Sequence, residues 1–524
     1  MTTQPHALTA SAASSSPRKD LRRIWIVCTG SRGDVQPFVA VGSELVKRGF
    51  DVTCFTMDKY VGFCESFGMK GVALLGDSEN QTEKEKKLAK MKVDHNNHDW
   101  TKGSTLIIFP CILLMQRASA EHQAKVIQFY IQEDGVPDLC IHAPLSAGIG
   151  WYLAAKHDVP FIDLFANKPM YDSKWMHFGL PTFPYGLHSI IHEHFILRFG
   201  YAFTLAIIAA FDKGVAKKMR LKKYLEFERN PNRPQLFLFS PELAKAMYPE
   251  AKPASKFVGT TFIDVTQQCG NSVTAAHFGG LTAKKIIDDF LNAPGKQKPV
   301  YLGWGSMISM PRKVLAEYCV RVAKHANQRA VVLGGEAKLS VDLLEDPELI
   351  EFAQENILFV ESAPHEYLFP RMSAVVHHGG AGTTTTALRS GRPNIITPVL
   401  LDQYDHSRMI RDLGVGAGFK RQMQKISWKE LGDAIFNVVN DKEMLERCEL
   451  LAEKLRVENG ARVAAHDIES FWDKYCANGR FPDLFKSSMM SDEYKGRTRW
   501  SLGSFLKVAA PVAIAAALAK TVFN

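Results

Sequence analysis

The chain has 524 residues, 46% of them apolar and 23% charged, and a formal charge of +9. That is a globular composition, long enough for about two to four domains and more than one sizeable core. The positive balance is spread thinly, so it excludes the concentrated basic stripe of a nucleic-acid binder and fits anionic ligands or an acidic membrane surface.

Residues 1–22 are small and polar, lack the apolar stretch of a secretory signal, and are expected to be a disordered leader. A first domain is expected over 23–262. It opens on an apolar strand, roughly Ile24 to Cys28, and a turn, SRGD. A helix follows, in which Phe38, Val39, Val41, Leu45 and Val46 approximate one face. DVTCFTM is the next strand, so the opening is a strand–helix–strand unit of a parallel sheet. PDLCIHAP and VPFIDLFA read as strands flanking the helix AGIGWYLAAKHD, and QLFLFS as another buried strand. The stretch 190–230 is apolar up to Phe211 and basic after it. It reads as a helix pair packed on the first domain, or as a surface touching a membrane or a lipidic substrate.

The polar, Gly- and Thr-rich segment 263–285 is the expected linker, and a second domain is expected over 286–475. There KPVYLGWGSM, RAVVLGG, NILFVES, SAVVHHGG and RPNIITPV are short apolar runs that each end in a turn, with helical stretches between. The fold class is therefore α/β, with two separate sets of parallel units. The tail 476–524 has an apolar core, Val508 to Ala519, of twelve residues broken at Pro511. A membrane span needs about twenty, so the tail reads as docked or disordered, with a peripheral anchor snorkelling Lys507 and Lys520 as the other reading. The nine cysteines form no C-x-x-C pair and read as reduced thiols of an intracellular, cytoplasmic protein.

The segment VVHHGGAGTTTTALRSGRPNIITPVLLDQ, Val375 to Gln403, carries the chemistry. A strand ends at two histidines, a glycine turn follows, and a helix starts near Thr383. Unpaired amides and the dipole at such a helix start favour an anion, and a phosphate or diphosphate is the natural guest. The site falls at the carboxyl end of a parallel strand, where open α/β sheets bind ligands. It is neither a P-loop nor a G-x-G-x-x-G fingerprint, which argues against a nicotinamide cofactor. Asp402 and Gln403 stand at the end of the next strand, where a carboxylate and an amide suit sugar hydroxyls.

This segment closely resembles the donor-site signature of nucleotide-sugar glycosyltransferases of the GT-B fold, which has two facing Rossmann-like domains and an interdomain cleft. CTGSRGDVQPFVAVGSELVKRGFDVTCFT, residues 28–56, resembles the opening of the sterol and antibiotic glucosyltransferase branch. APHEYLFPR, residues 363–371, matches the segment that family places before the His-Gly-Gly turn. The resemblance implies that His378 contacts the donor diphosphate, with Gly380, Ala381, Gly382 and Thr383 alongside. It implies that Ser306 touches phosphate, that Ser362, Ala363 and His365 bracket the uracil, and that Asp402 and Gln403 hold the sugar. Ser31, Arg32 and Gly33 belong to the same donor surface, and Arg32 is expected to partner Asp34 or a phosphate. Plant members carry a Trp near Ser362 and a Glu near Thr386 that this chain lacks. UDP-glucose is the default donor, a substrate, and no cofactor is implied.

The family inverts the anomeric centre in one displacement, so a base must take the acceptor's proton. Asp34 is the residue expected to do so, against the alternative that it caps the following helix. The leaving diphosphate needs fixed donors, which the glycine turn and His378 supply without a metal. The absence of a D-x-D motif agrees. On the acceptor side, His142 at a strand end and Tyr171, Trp175, Met176, Phe178 and Phe183 are candidates for lining an apolar pocket. The expected acceptor is a hydrophobic hydroxylated molecule such as a sterol, triterpenoid, polyketide, phenolic or hydroxy lipid. The competing readings are a catalytically silent nucleotide-sugar or lipid binding protein on the same fold, and a nucleotide-sugar epimerase.

Overall fold

The structure, a computed structural model, describes residues 22–75, 105–166, 197–221, 224–225, 234–247, 256–270, 273–294, 296–305, 307, 310–399 and 402–477, with the side chains of the helix beginning at Thr105 described from 119 onward. All of the expected leader but Arg22, and most of the C-terminal tail, lie outside them. No helix among the described residues is long and apolar enough to cross a membrane.

The first sheet holds β1 (Arg23–Val27), β2 (Asp51–Met57), β3 (Lys70–Leu75), β4 (Leu139–His142), β5 (Phe161–Phe165) and β6 (Gln235–Phe237), in the order β3-β2-β1-β4-β5-β6. Every pairing is parallel, and Ile24 stands opposite both Val52 and Leu139. Strands buried on both faces read as continuous apolar runs, and β1 shows why. Ile24 and Ile26 pack with Val39 and Leu45 of α1 (Arg32–Lys47), beside α2 (Val61–Glu65). Trp25 and Val27 point the other way. They join Ile127 of α3 (Thr105–Asp134), Trp151 of α4 (Ala147–His157) and Ile207 of α5 (Leu197–Phe211). The apolar part of the 190–230 stretch is thus, where described, a helix packed on the first domain.

The expected linker is itself helical. It contains α6 (Val265–Cys269) and α7 (Val273–Ala276), and runs into α8 (Gly280–Leu291). The second sheet holds β7 (Val300–Gly303), β8 (Ala330–Leu333), β9 (Ile357–Val360), β10 (Val375–His377), β11 (Asn394–Ile396) and β12 (Gly416–Gly418). Its order is β12-β11-β10-β7-β8-β9, again parallel. Its covering helices include α9 (Arg312–His325), α10 (Pro347–Asn356), α11 (His365–Leu368), α12 (Ala381–Arg389), α13 (Gln403–Leu413), α14 (Trp428–Asn440) and α15 (Lys442–Arg456).

The last helix, α16 (Gly460–Phe471), returns to the first domain. Ala461, Ala464, Ala465 and Ile468 share a core with β1 and α1. Glu469 pairs with Arg22 at 3.4 Å and Arg48 at 2.7 Å. The chain therefore crosses between domains twice, and the crossings touch. Gly460 donates to the Thr260 carbonyl at 2.8 Å, and a Cβ at Gly460 would collide with the Gly259 carbonyl. Beside this crossing, Phe165, Phe237 and Phe239 are buried with Leu388, Ile396, Met409 and Leu455 of the second domain.

Candidate functional site in the interdomain cleft

In each sheet the strand order reverses once, between β1 and β4 and between β7 and β10. Ligands of open parallel sheets bind outside the strand ends at such reversals. The turn after β1 carries Ser31 to Asp34, and the turn after β10 carries His378 to Gly380. Several interactions carry the first domain across to the linker and the second domain. Lys59 reaches Glu336 at 3.1 Å, Arg32 reaches the His277 carbonyl, and the charge of Asp402 acts on Asp34.

On the first-domain side, Asp34 is the third residue of α1. The backbone N–H and hydroxyl of Ser31 both donate to its Oδ2, at 2.7 and 2.9 Å. Asp34 thus has a capping role, as the N3 partner of the N-cap Ser31, and the same bonds fix its carboxylate. Oδ1 makes no hydrogen bond among the described residues. Gly30 makes room for this arrangement: at φ +136, a Cβ there would strike Oδ2. Asp34 is solvent-exposed, yet protein atoms crowd its carboxylate. That enclosure raises its pKa, the Ser31 bonds oppose the rise, and the charge of Asp402 adds to it. Ser31 is half-buried and Gly33 exposed on the same turn.

Arg32 does not pair with Asp34. Its Nη1 donates to His277 O at 2.5 Å and its Nε to Gln36 Oε1 at 3.2 Å. Its guanidinium packs against both Phe63 and Phe278, 4.8 and 4.4 Å from the centres of these two nearly perpendicular rings. Burial pulls its pKa down to about 10.

On the second-domain side, the two adjacent histidines part company. His377, the last residue of β10, is fully buried. Its Nε2 donates to Asn394 Oδ1 at 3.0 Å and its Nδ1 accepts from Gly379 N–H at 3.0 Å. The Gly379 carbonyl takes a bond from His406 Nδ1 at 2.6 Å. Gly379 has φ +92, and a Cβ there would press on Ile396. This network clamps the turn and leaves the next histidine turned out of it. His378 Nδ1 is buried with no partner among the described residues. Burial, and then the charge of His406, lowers its pKa to about 4, so the ring is neutral at pH 7. It is flanked by Gly305 and by Gly380, where a Cβ would collide with Nε2. The Gly305 turn is held from beneath by Trp304, whose Nε1 donates to Thr397 Oγ1 at 2.8 Å.

Gly380 caps α12 without a side chain, and the first bond of the helix is Thr384 N–H to the Gly380 carbonyl at 2.9 Å. The amides of Ala381, Gly382 and Thr383 therefore have no acceptor within the helix. Around a Cβ placed at Gly382 there is open space. Three amides and a helix dipole thus lie next to the His378 imidazole, whose Nε2 sits over Gly380, a set of donors for an oxyanion.

Asp402 is half-buried at the start of α13. Gln403 is buried, and its Oε1 accepts from Val399 N–H at 2.8 Å, which ties the chain leaving β11 to the start of α13. Ala363 is buried. His365 stacks on Phe369, ring centres 4.5 Å apart, and bonds Tyr301 Oη at 3.1 Å. Burial, with the charges of Arg32 and His378, lowers its pKa to about 3. The next residue, Glu366, gives no signal in the sequence, yet its Oε1 accepts from Thr386 Oγ1 at 3.2 Å. A carboxylate thus stands beside Thr386 after all, brought from another segment.

His142 does not line the cleft. It is turned into the core against Gly150 and Phe161, with Nε2 3.1 Å from Asp163 Oδ1. On the acceptor side, Tyr171, Trp175, Met176, Phe178 and Phe183 lie outside the described residues, as does Ser306. Among the described residues no group of three or more His, Cys, Asp or Glu is placed to hold a metal ion.

Residues 329–469 match the family described as "Erythromycin biosynthesis protein CIII-like, C-terminal domain". The sterol 3-beta-glucosyltransferase of Candida albicans is 26% identical over 455 residues, taking in 85% of this chain and 27% of that protein. That of Saccharomyces cerevisiae is 26% identical over 465 residues, 87% of this chain and 35% of that protein. The chain thus spans about a quarter to a third of the length of these curated relatives. Among solved structures, the glycotransferase of kitacinnamycin superposes with a TM-score of 0.60 at 19% identity, over 86% of this chain and 99% of that one. That is a likeness of fold.

Proposed function

We propose that this chain is a GT-B glycosyltransferase of the sterol and antibiotic branch and that it transfers a hexose from a UDP-sugar to a hydroxyl of an apolar acceptor. The observation that carries the reading is the facing of two turns. One presents Asp34 with an uncommitted Oδ1. The other presents His378 and the amides of Ala381, Gly382 and Thr383.

The amides and His378 hold the donor diphosphate. Asp402, at the start of α13, takes sugar hydroxyls, and glucose is the default sugar. The acceptor hydroxyl approaches from the first domain. As its oxygen bonds the anomeric carbon, its proton passes to Asp34 and the bond to the diphosphate oxygen breaks on the opposite face, inverting the centre. Charge growing on that leaving oxygen meets donors already aimed at it, so no metal is needed. His378, neutral at pH 7, gives one N–H to the diphosphate. The names of the curated relatives favour a sterol-like acceptor, and the other apolar alcohols stay within the same class.

The test is incubation of the full chain with UDP-glucose, EDTA and a mixed panel of sterols, phenolics, polyketides and hydroxy fatty acids, read by mass. Hexose on one class of acceptor supports the reading. UDP binding without transfer to any acceptor favours a silent nucleotide-sugar binder, and loss of transfer in EDTA removes the metal-independent mechanism.

A further inference from the structure

Arg32 stands two residues before Asp34, but its side chain belongs to another structure. Its bonds and ring contacts lead to Phe63 in α2 and to His277 and Phe278, the residues between α7 and α8. The peptide that follows touches the second domain. Gly279 is left-handed at φ +96, and a Cβ there would come within 2.7 Å of Ser362 Oγ, in the segment leading to His365. One guanidinium is thus in contact with the turn that bears Asp34, with a helix of the first domain, and with the linker that abuts the second domain.

We propose that Arg32 is a positioning residue that fastens the Asp34 turn to the interdomain linker and so sets the reach from Asp34 to the His378 turn. The role rests on shape as well as charge. A planar guanidinium packs against two rings and donates in its own plane to the His277 carbonyl, which an ammonium does not reproduce. The kinetic consequence rests on the transferase reading above; the mechanical one does not.

The experiment compares the full chain with Arg32→Lys and Arg32→Ala by amide hydrogen exchange, by calorimetric UDP binding and by transfer kinetics. Both variants are expected to exchange faster in the peptides 29–36 and 273–280 together, with α9 and α14 unchanged. UDP affinity should hold within about twofold while kcat falls roughly 10- to 100-fold, the size of loss that a misplaced reacting group gives. Lys should rescue neither readout. UDP affinity weakened more than about tenfold with exchange unchanged would make Arg32 a donor ligand and overturn the proposal, since a lost charged hydrogen bond has that size. Faster exchange in 29–36 alone would overturn it as well. If the unaltered chain transfers no sugar, the transferase reading fails, and the exchange of the two peptides still decides the role of Arg32.

Discussion

Across the cleft, the carboxylate of Asp402 stands close enough to Asp34 for its charge to push the Asp34 pKa up, on top of the rise that burial gives. A base acts only when deprotonated, so a raised pKa moves the acid limb of activity upward. kcat/KM should therefore fall with decreasing pH from a value above the ordinary aspartate pKa of 3.8. In Asp402→Asn the repulsion is gone and the limb should move to lower pH, whatever happens to its height. A pH–rate profile of both proteins checks this, and a limb that stays in place would uncouple the two carboxylates.

Asp34→Asn keeps the shape of the turn and removes the base. Transfer should drop roughly 10²- to 10⁴-fold, the usual share of a general base. UDP should bind as before, since no donor contact is lost. Full transfer in this variant would leave Asp34 with its capping role alone.

His378→Ala should weaken UDP binding roughly 10- to 100-fold, the equivalent of one hydrogen bond to a charged group. Gly380→Ala should do the same with the imidazole present, because the new Cβ collides with Nε2. In the unaltered chain, the His378 pKa of about 4 should rise when UDP binds, as an anion favours the charged ring. Calorimetry and imidazole NMR read these effects.

His377→Ala should behave differently. It strands Asn394 Oδ1 and the Gly379 N–H in the core. An unsatisfied buried group costs about 1–3 kcal/mol, so urea unfolding should show the loss directly, together with weaker UDP binding from a loosened turn. Normal stability with weak binding would mean that the network is not what holds the turn.

The strands were legible where a parallel sheet buries both faces, as in IWIV and AVVL, because such strands leave continuous apolar runs. β3 and β12 escaped notice. Both are edge strands, and Gly416–Gly418 has no side chain larger than a methyl to mark it. The glycine turn and the helix start were also legible, since glycine and a following helix are local signals. What could not be read was which histidine faces the ligand. His377 and His378 are neighbours in sequence, and only the partner at Asn394, seventeen positions on, separates them. For the same reason Glu366 beside Thr386, His406 on Gly379 and the turn of Arg32 toward His277 were out of reach: each depends on a contact between distant segments. His142 looked like a cleft residue because it ends a strand, but strand alternation sends it to the side of Cys140 and Phe161, into the core.

The return of α16 to the first domain bears on how chains of this fold can be recombined. A chimera built by joining one protein's residues up to 259 to another's from 260 onward would give the first sheet a foreign cover over β1 and α1. Ala461, Ala464 and Ile468 would then meet a surface they were not shaped for. The natural module for exchange is discontinuous, with its cuts at the Gly259 and Gly460 crossing, and a graft of acceptor preference should carry residues 460–477 with it.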